Sequence, residues 1–592
     1  MIHVRGALAI GETSRFLIEV NSNIDKPVFV RLRNRTKATR RATYLLGPFV
    51  LYCDSRPVIP ANQNEYVPQF KANIEPQGKF TFQLKPEDAR DVGGKRCWII
   101  DVVSEVLFNQ ITKVDYELLI SLDINNFKKS KYQQDIYESI EGDVVAKQYS
   151  NHDIQEFIEV GAKIKKSQTK ERNQHLVIVT HGMISNVSND MMYIMEQLRA
   201  IDRDDLDEEL ILDGYTGNVC RTELGIKNLG IRLANYIVKE RYNTNIKKIS
   251  FIGHSLGGLV QTFAIAYIYI LHGWFFDAVK PVNFISLATP FLGLYSHIGN
   301  YTKRLLSSGA LGQTGEDLRY HSHNKLKNFS ILYLLSGDPA HSILQKFERR
   351  TLYANAINDG IVPLASSALL YLDYSKILKD SNLLKKETDD IRSIVMTWKE
   401  FQDSEDFKVY KKVNPKSKIF RRVSLTNTVG NLVLPEPPKN ITSDMKVLIH
   451  DQVYQYNDIP DSEYFPPDGI DEIMAMDRHQ LQECMARRWH AGKSWRKVIV
   501  CLEGDAHNSI NVRRRYSNSC GWAVISHMIL NHFIKPQKCD VPEADIVSQP
   551  ASRDEADMEP NKTYAWLLKE DKEKGGLIRR ATNALNPIAR RL

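Results

Sequence analysis

Gly253-His254-Ser255-Leu256-Gly257 reads G-x-S-x-G, and a further glycine, Gly258, follows it. A serine framed in this way can act as a nucleophile when it stands on a turn too tight for side chains two positions before or after it. Glycines at 253 and 257 meet that demand. The N–H of Leu256 would then lie at a helix start, where it can face a developing oxyanion. The hydroxyl itself is weak without a base, and the base needs a carboxylate to orient it.

When serine, acid and histidine occur in that chain order, the acid and the base are sought after late strands. Asn358-Asp359-Gly360-Ile361-Val362-Pro363 follows a strand predicted over Leu352–Ile357, and Asp359 is the candidate acid. Asp338, after Ser336-Gly337, is its rival, although an aspartate before Pro339 reads more simply as a turn residue. Glu503-Gly504-Asp505-Ala506-His507-Asn508 follows a strand predicted over Lys497–Leu502, so His507 is the candidate base. His254 is expected to point away from the serine, while His527 and His532 lie in an apolar run that suits core histidines. Ahead of the serine, Val179-Thr180-His181-Gly182-Met183 closes the first predicted strand of this region. A His-Gly pair there suits an oxyanion loop, in which the backbone at Gly182 and Met183 supplies the second donor beside Leu256.

The elements that would position these groups are legible as periodicity. Ile246–Ile252 is β-branched and apolar, as a buried strand should be, and Leu259–Phe276 is a long apolar helix behind the serine. Further strands are expected at His175–Thr180, Val282–Ala288 and Ser330–Ser336, with helices over Asn189–Ala200 and Leu224–Glu240. Alternation of strand and helix predicts an α/β fold with a mostly parallel, doubly wound sheet. The first 125 or so residues differ. Ser14–Val20, Pro27–Leu32, Phe80–Leu84, Cys97–Val103 and Tyr116–Leu122 are short strands divided by turn-rich gaps, the pattern of a β-sandwich. The expected organisation is therefore a sandwich-like domain over 1–125 and a linker over 126–171 with one helix near Asp153–Lys165. A first part of the α/β core spans 172–373, a charged insertion or lid 374–490, a last part of the core 491–535, and a disordered tail 536–592.

Composition narrows the class. The chain has 592 residues, of which 43% are hydrophobic and 25% charged, the balance of an ordinary globular protein of two or three domains. Its 79 Lys+Arg against 71 Asp+Glu leave a net charge of +8, mild for this length, so nucleic acid is not an expected partner. Seven scattered cysteines form no C-x-x-C pair, which argues against a zinc site or a disulfide framework and for a reducing, cytoplasmic compartment. The first residues lack the charged and apolar regions of a secretory signal. Leu259–Phe276 contains Gln261 and His272 and reads as a buried helix rather than a membrane span. No metal or organic cofactor is expected. Two basic stretches stand apart from the core pattern. Phe407 to Arg422 interleaves aromatics with Lys and Arg, and either contacts an anionic membrane as part of a lid or forms a solvated loop. Leu577 to Leu592 is amphipathic but interrupted by Pro587, a weaker second anchor.

The motifs together resemble a known family. Thr180-His181-Gly182, Gly253 to Gly258, Leu287-Ala288-Thr289-Pro290-Phe291-Leu292-Gly293 and Tyr353 to Asp359 are similar to those of a putative serine esterase family. Met485-Ala486-Arg487-Arg488-Trp489 and Asp505-Ala506-His507-Asn508 resemble its fungal lipase-like members, over about residues 170 to 535. The resemblance implies an α/β-hydrolase fold and a Ser255–Asp359–His507 triad hydrolysing lipid esters, with monoacylglycerol and phospholipid among the candidate substrates. The partners it implies are a lipid ester and the surface of a membrane or lipid droplet. Phe291 stands where such relatives often carry histidine, a position outside the triad. Two other readings use the same residues: a hydrolase-fold interaction module that has lost activity, and an acyltransferase passing the acyl group to an alcohol other than water.

Overall fold

Three sheets organise the chain in a computed structural model that describes residues 1–592 other than 10, 38–48, 62–67, 106–112, 130–142, 151–156, 159, 161–172, 202–207, 295–310, 320–329, 357–358, 373–446, 463–464, 466, 468–469, 503, 535–563 and 569–592. Two of them are antiparallel and lie in the N-terminal region. One has the order β1-β8-β3-β6, built from Ile2–Leu8, Val114–Ser121, Val28–Asn34 and Lys79–Leu84. The other runs β5-β4-β7-β2-β9, built from Gln69–Ile74, Leu51–Pro57, Lys95–Ser104, Thr13–Asn21 and Val144–Ser150. Alternation explains their faces. Val28, Val30 and Leu32 of β3 are buried, and Phe29 and Arg31 between them are not. With Phe16, Ile18, Trp98, Ile100 and Leu118 they form one shared core. Strand β9 falls inside the stretch expected to be a linker. Only Val144 and Ala146 are buried in it, too short an apolar signal to stand out from the polar residues around it. Most of the helix expected near 153–165 lies outside the described residues.

The third sheet has seven strands in the order β11-β10-β12-β13-β14-β16-β15. These are Glu208–Asp213, Asn173–Thr180, Ile246–His254, Lys280–Leu287, Arg349–Asn355, Trp495–Val500 and Leu448–Tyr454. All neighbours are parallel except β15, which runs antiparallel to β16. Helices cover both faces, so the central strands are apolar on both sides. Leu176 and Ile178 of β10, with Ile249 and Phe251 of β12, join the core under helices Ile226–Tyr236 and Leu256–Leu271. Val177, Val179 and Ile252 point the other way, beneath helices Met192–Arg199 and Trp522–Ile529. The mixed α/β class with a mostly parallel sheet is as expected.

Three elements depart from expectation. Ser330–Ser336, read as a strand, is a helix over Ile331–Leu335 whose N-cap Ser330 Oγ accepts from the N–H of Leu332 at 3.3 Å. The run Ile-Leu-Tyr-Leu-Leu has no alternation, and burial of Leu332, Tyr333 and Leu335 fits a helical face. The charged stretch 374–490 is partly core: after residues 373–446, which lie outside the description together with the basic-aromatic segment 407–422, come β15 and helix Arg478–His490. That helix buries Cys484, Met485, Ala486 and Trp489 against the sheet, and its arginines find partners, Arg487 on Glu483 and Arg488 on Ser336 Oγ. The tail 536–592 is described only at 564–568. There Leu567 is fully buried, the Trp566 ring stands 5.9 Å from Phe263, and Lys227 Nζ donates to the Trp566 carbonyl at 2.6 Å. The amphipathic stretch 577–592 lies outside the described residues. No helix among the described residues is long and apolar enough to cross a membrane.

Phe291 explains itself once the sheet is formed. Its ring lies 5.1 Å from Trp489 and 6.2 Å from Trp495, fully buried between the sheet and helix Arg478–His490. Phe291→Ala should therefore cost about 3–5 kcal/mol, the loss typical of a large aromatic removed from a packed core. Urea unfolding would read this as a lower midpoint at unchanged slope.

Candidate active site

Strand β12 ends at His254, and the next residue, Ser255, turns the chain at φ 54° and ψ −125°. A side chain in that left-handed region is strained by about 1–3 kcal/mol, and the surroundings hold it there. The Ser255 N–H donates to the Leu287 carbonyl of β13 at 2.8 Å. From one turn into the helix, Gln261 Nε2 reaches back to the carbonyls of Ile178 and Ile252 and to Thr180 Oγ1, at 2.9–3.1 Å. The turn leaves no room at its flanks: a Cβ on Gly253 would stand 2.6 Å from Gln261 Oε1, and one on Gly257 would stand 2.3 Å from the Thr180 carbonyl oxygen. Those contacts are the physical content of the two glycines in the motif.

Three side chains from distant strands meet at this turn. Ser255 Oγ lies 3.1 Å from His507 Nε2, and His507 Nδ1 lies 3.1 Å from Asp359 Oδ2. His507 sits on the short helix Ala506–Ser509 after β16, and Asp359 follows β14. With Nδ1–H donating to the carboxylate, Nε2 is left to accept from the serine hydroxyl. The acid is fully satisfied: Oδ1 accepts from the N–H groups of Ile361 and Val362, at 3.0 and 2.8 Å, and Oδ2 also accepts from Asn355 Nδ2 at 2.9 Å. Burial alone would raise its pKa, but the His507 imidazole and these donors outweigh burial and hold the carboxyl below its ordinary range. His507 shows the reverse balance. Burial would lower it, yet the charge and hydrogen bond of Asp359 prevail and hold the imidazole above its ordinary value. Asp505, which also faces it, is pushed up by its own burial.

The rival acid is elsewhere. Asp338 is half-exposed and accepts from the Ser342 N–H and hydroxyl, a local helix-start role. His532 bonds Thr351 Oγ1 at 2.8 Å, and His527 bonds Tyr353 and Asp451, so both are satisfied among core elements. At the proposed oxyanion loop, Gly182 abuts the serine: a Cβ there would stand 2.9 Å from Ser255 Cβ. Met183 follows it in the chain, and Leu256 opens the helix immediately after the serine. Ile184 turns away at φ 51° while its N–H donates to Thr222 Oγ1 at 3.0 Å. His181 is buried, with Nδ1 donating to the Gly182 carbonyl at 2.9 Å, which stiffens the same loop.

His254 is the residue whose part the spacing did not suggest. Its Nε2–H donates to the backbone carbonyl of His507 at 2.8 Å, with the two rings 4.9 Å apart. Burial, then the neighbouring His507, lowers its pKa to about 3, so it stays neutral and brings no second positive charge beside an imidazolium. Its adjacency to the serine was the one available signal, because an elbow residue buried on the far side must pack beneath whatever hangs over the turn.

Three outcomes are expected of this geometry. A general base works only when deprotonated, so kcat/KM should fall as pH drops through a value above the ordinary 6.5 of histidine. Asp359→Asn should lower kcat by about 10⁴-fold through loss of the correct tautomer, and shift that acid limb to lower pH. A pH–rate profile of both proteins checks the sign. His254→Phe keeps a ring but removes the donor to the His507 carbonyl; a lost buried hydrogen bond of about 1–3 kcal/mol should appear as a roughly tenfold or greater fall in kcat.

A family model described as Putative serine esterase (DUF676) matches residues 170–369, which include Ser255 and Asp359. The Saccharomyces cerevisiae protein named Putative lipase ROG1 is 36% identical over 582 residues, covering 90% of this chain and 83% of its own. Putative lipase YDL109C of the same yeast is 36% identical over 634 residues, covering 98% and 96%. Putative lipase C4A8.10 of Schizosaccharomyces pombe is 28% identical over 615 residues, covering 87% and 75%.

Proposed function

Because the chain belongs to the putative serine esterase family and is similar over most of its length to these yeast proteins, we propose that it is a carboxylic ester hydrolase of lipids, working through an α/β-hydrolase core. The observation that carries the reading is the continuous hydrogen-bonded array Ser255–His507–Asp359 at a strained strand-to-helix turn. Ser255 Oγ attacks the ester carbonyl carbon while His507 Nε2 takes its proton, and Asp359 stabilises the imidazolium that results. The N–H groups of Leu256 and Met183, with the backbone at Gly182, receive the oxyanion. As the tetrahedral intermediate collapses, the C–O bond to the alcohol breaks and His507 returns the proton to that leaving oxygen. The acyl group is then on Ser255. Water, deprotonated by the same imidazole, attacks the acyl carbonyl, and collapse releases the fatty acid and restores the serine hydroxyl. One donor in such a hole contributes roughly 2.7–4 kcal/mol to transition-state stabilisation.

The names of the yeast relatives support a lipid ester rather than a small soluble one, with monoacylglycerols and phospholipids as the first candidates. Such a substrate would bring the protein to a membrane or lipid-droplet surface. The purified full-length chain should release fatty acid from at least one member of a panel of monoacylglycerols, phospholipids and triacylglycerols, and should label with a fluorophosphonate. Ser255→Ala should lose both. Unchanged hydrolysis in Ser255→Ala, or absence of labelling in the unaltered chain, would overturn the reading.

A further inference from the structure

The turn after His507 carries three consecutive arginines, Arg513-Arg514-Arg515, none of which enters the chemistry above. All three point into the joint between the α/β core and the N-terminal sheets. Arg514 Nη1 donates to Asp190 Oδ1 at 2.8 Å, and Arg513 Nε donates to the same oxygen at 3.1 Å. The other edge of the Arg514 fork meets Glu105, through Nε to Oε1 and through Nη2 to Oε2 at 2.9 Å. Arg513 Nη2 adds a longer ion pair to Glu105 at 3.6 Å. Glu105 follows the last residue of β7 in the N-terminal region and is 2% exposed.

Asp190 is the pivot. It closes the short helix Val187–Asp190 that follows the loop holding Gly182 and Met183. Its Oδ2 accepts from Ser185 Oγ at 2.6 Å and from the Asn186 N–H, both in that loop, and its own carbonyl accepts from Asn511 Nδ2 at 2.9 Å. One buried carboxylate thus ties the proposed oxyanion loop to the segment that carries His507. Glu105 ties that knot to the N-terminal sheets. A second contact does the same from strand β2 and the turn before it: Ser188 Oγ donates to the Gly11 carbonyl at 3.2 Å, and Thr13 bonds Asn189. A small cavity beside this joint, lined by Thr13, Ser188, Asn189, Arg513 and Arg514 among others, holds about 40 Å³, room for water.

Resting on the esterase reading, we infer that Glu105 is a positioning residue for ester hydrolysis: through Arg514 and Asp190, the N-terminal β region sets the alignment of the base loop against the oxyanion loop. Fixing two loops relative to one serine acts on the transition state more than on substrate binding. A misplacement of an ångström or less at such a site costs on the order of 10- to 100-fold in rate.

The test compares full-length Glu105→Gln and Arg514→Lys with the unaltered chain. The first removes the charge at constant shape. The second keeps the charge but cannot bridge two carboxylates as a planar fork does. Activity is expressed per fluorophosphonate-titratable serine, so any unfolded fraction is removed from the comparison. Both variants should lose roughly 10- to 100-fold in kcat and in labelling rate, with KM within about twofold. Glu105→Asp should recover part of the loss. Glu19→Gln, which breaks the outer pairs with Lys95 and Lys147 in the same β region, should keep full kcat. Wild-type kcat per titrated site in both Glu105→Gln and Arg514→Lys would overturn the inference alone, as would an equal loss in Glu19→Gln. Failure of the unaltered chain to label or hydrolyse would overturn the esterase reading and this inference with it.

Discussion

Ser255 leaves the seven-stranded sheet from β12, and His507 follows β16; β13 and β14 lie between them. Three strand spacings of about 4.8 Å separate the two points of departure, on the order of 14 Å. A hydrogen bond across that gap exists only if the base is carried back over the sheet top and held there. The loop after β16 and the short helix Ala506–Ser509 carry it. Asp359, from the intermediate strand β14, holds one ring nitrogen, and His254 holds the backbone carbonyl from below. Strand order, more than any single residue, therefore dictates the rest of the site. Asp359 comes from a strand between those of Ser255 and His507, and His254, on the strand that leads to Ser255, reaches out to meet the segment that carries His507. The elbow supplies both the hydroxyl and that prop in consecutive residues, His254 and Ser255.

The strain at Ser255 is small beside what restrains it. About 1–3 kcal/mol is stored in its backbone, while the helix behind it buries Leu259, Val260, Phe263, Ala264 and Ile265 completely or nearly so. At roughly 1.5–3 kcal/mol for each large apolar side chain, that burial exceeds the strain severalfold before the side-chain bonds of Gln261 are considered. Gln261 matters for a different reason. A buried amide N–H in the first turns of a helix must find acceptors, and Nε2 takes the carbonyls of Ile178 in β10 and Ile252 in β12. These bonds fix the helix axially against the strands, and with it the point at which the chain must turn.

Much of this is legible in the sequence. The G-x-S-x-G frame, the strand before it and the apolar run after it depend on local periodicity, and the sheet follows from alternation of such runs. Asp359 and His507 were reachable because chain order restricts acid and base to loops after late strands. What could not be read was anything set by partners distant in sequence. Ile331–Leu335 is as apolar as a buried strand and too short for periodicity to separate the two, and it forms a helix capped by Ser330. Strand β15 is an edge strand whose exposed residues, Asp451 and Gln452, read as part of a charged insertion, although it pairs along β16. Leu567 and Trp566 look like stray apolar residues in a polar tail until Phe263 and Lys227 are seen beneath them. His254 finds its partner in a backbone carbonyl 253 residues away, which spacing along the chain does not reveal.

The joint between the N-terminal sheets and the core follows the same logic on a larger scale. Arg15, Arg56, Arg514 and Arg515 are drawn into it opposite Asp101, Glu105, Asp190 and Glu196. Buried pairs of this kind contribute little net stability, since desolvation cancels most of the attraction, but removing one partner leaves a charge stranded at a cost of about 3–5 kcal/mol. Two apolar surfaces can slide against one another with little penalty. An interface of fixed charges has one register in which every group is satisfied, and any displacement strands several at once. Glu105 and Arg514 are 409 residues apart in sequence, and they meet directly behind the loop that carries His507. A β region placed there with apolar contacts would stabilise the core; placed there with paired guanidinium forks and carboxylates, it also dictates where the base loop lies.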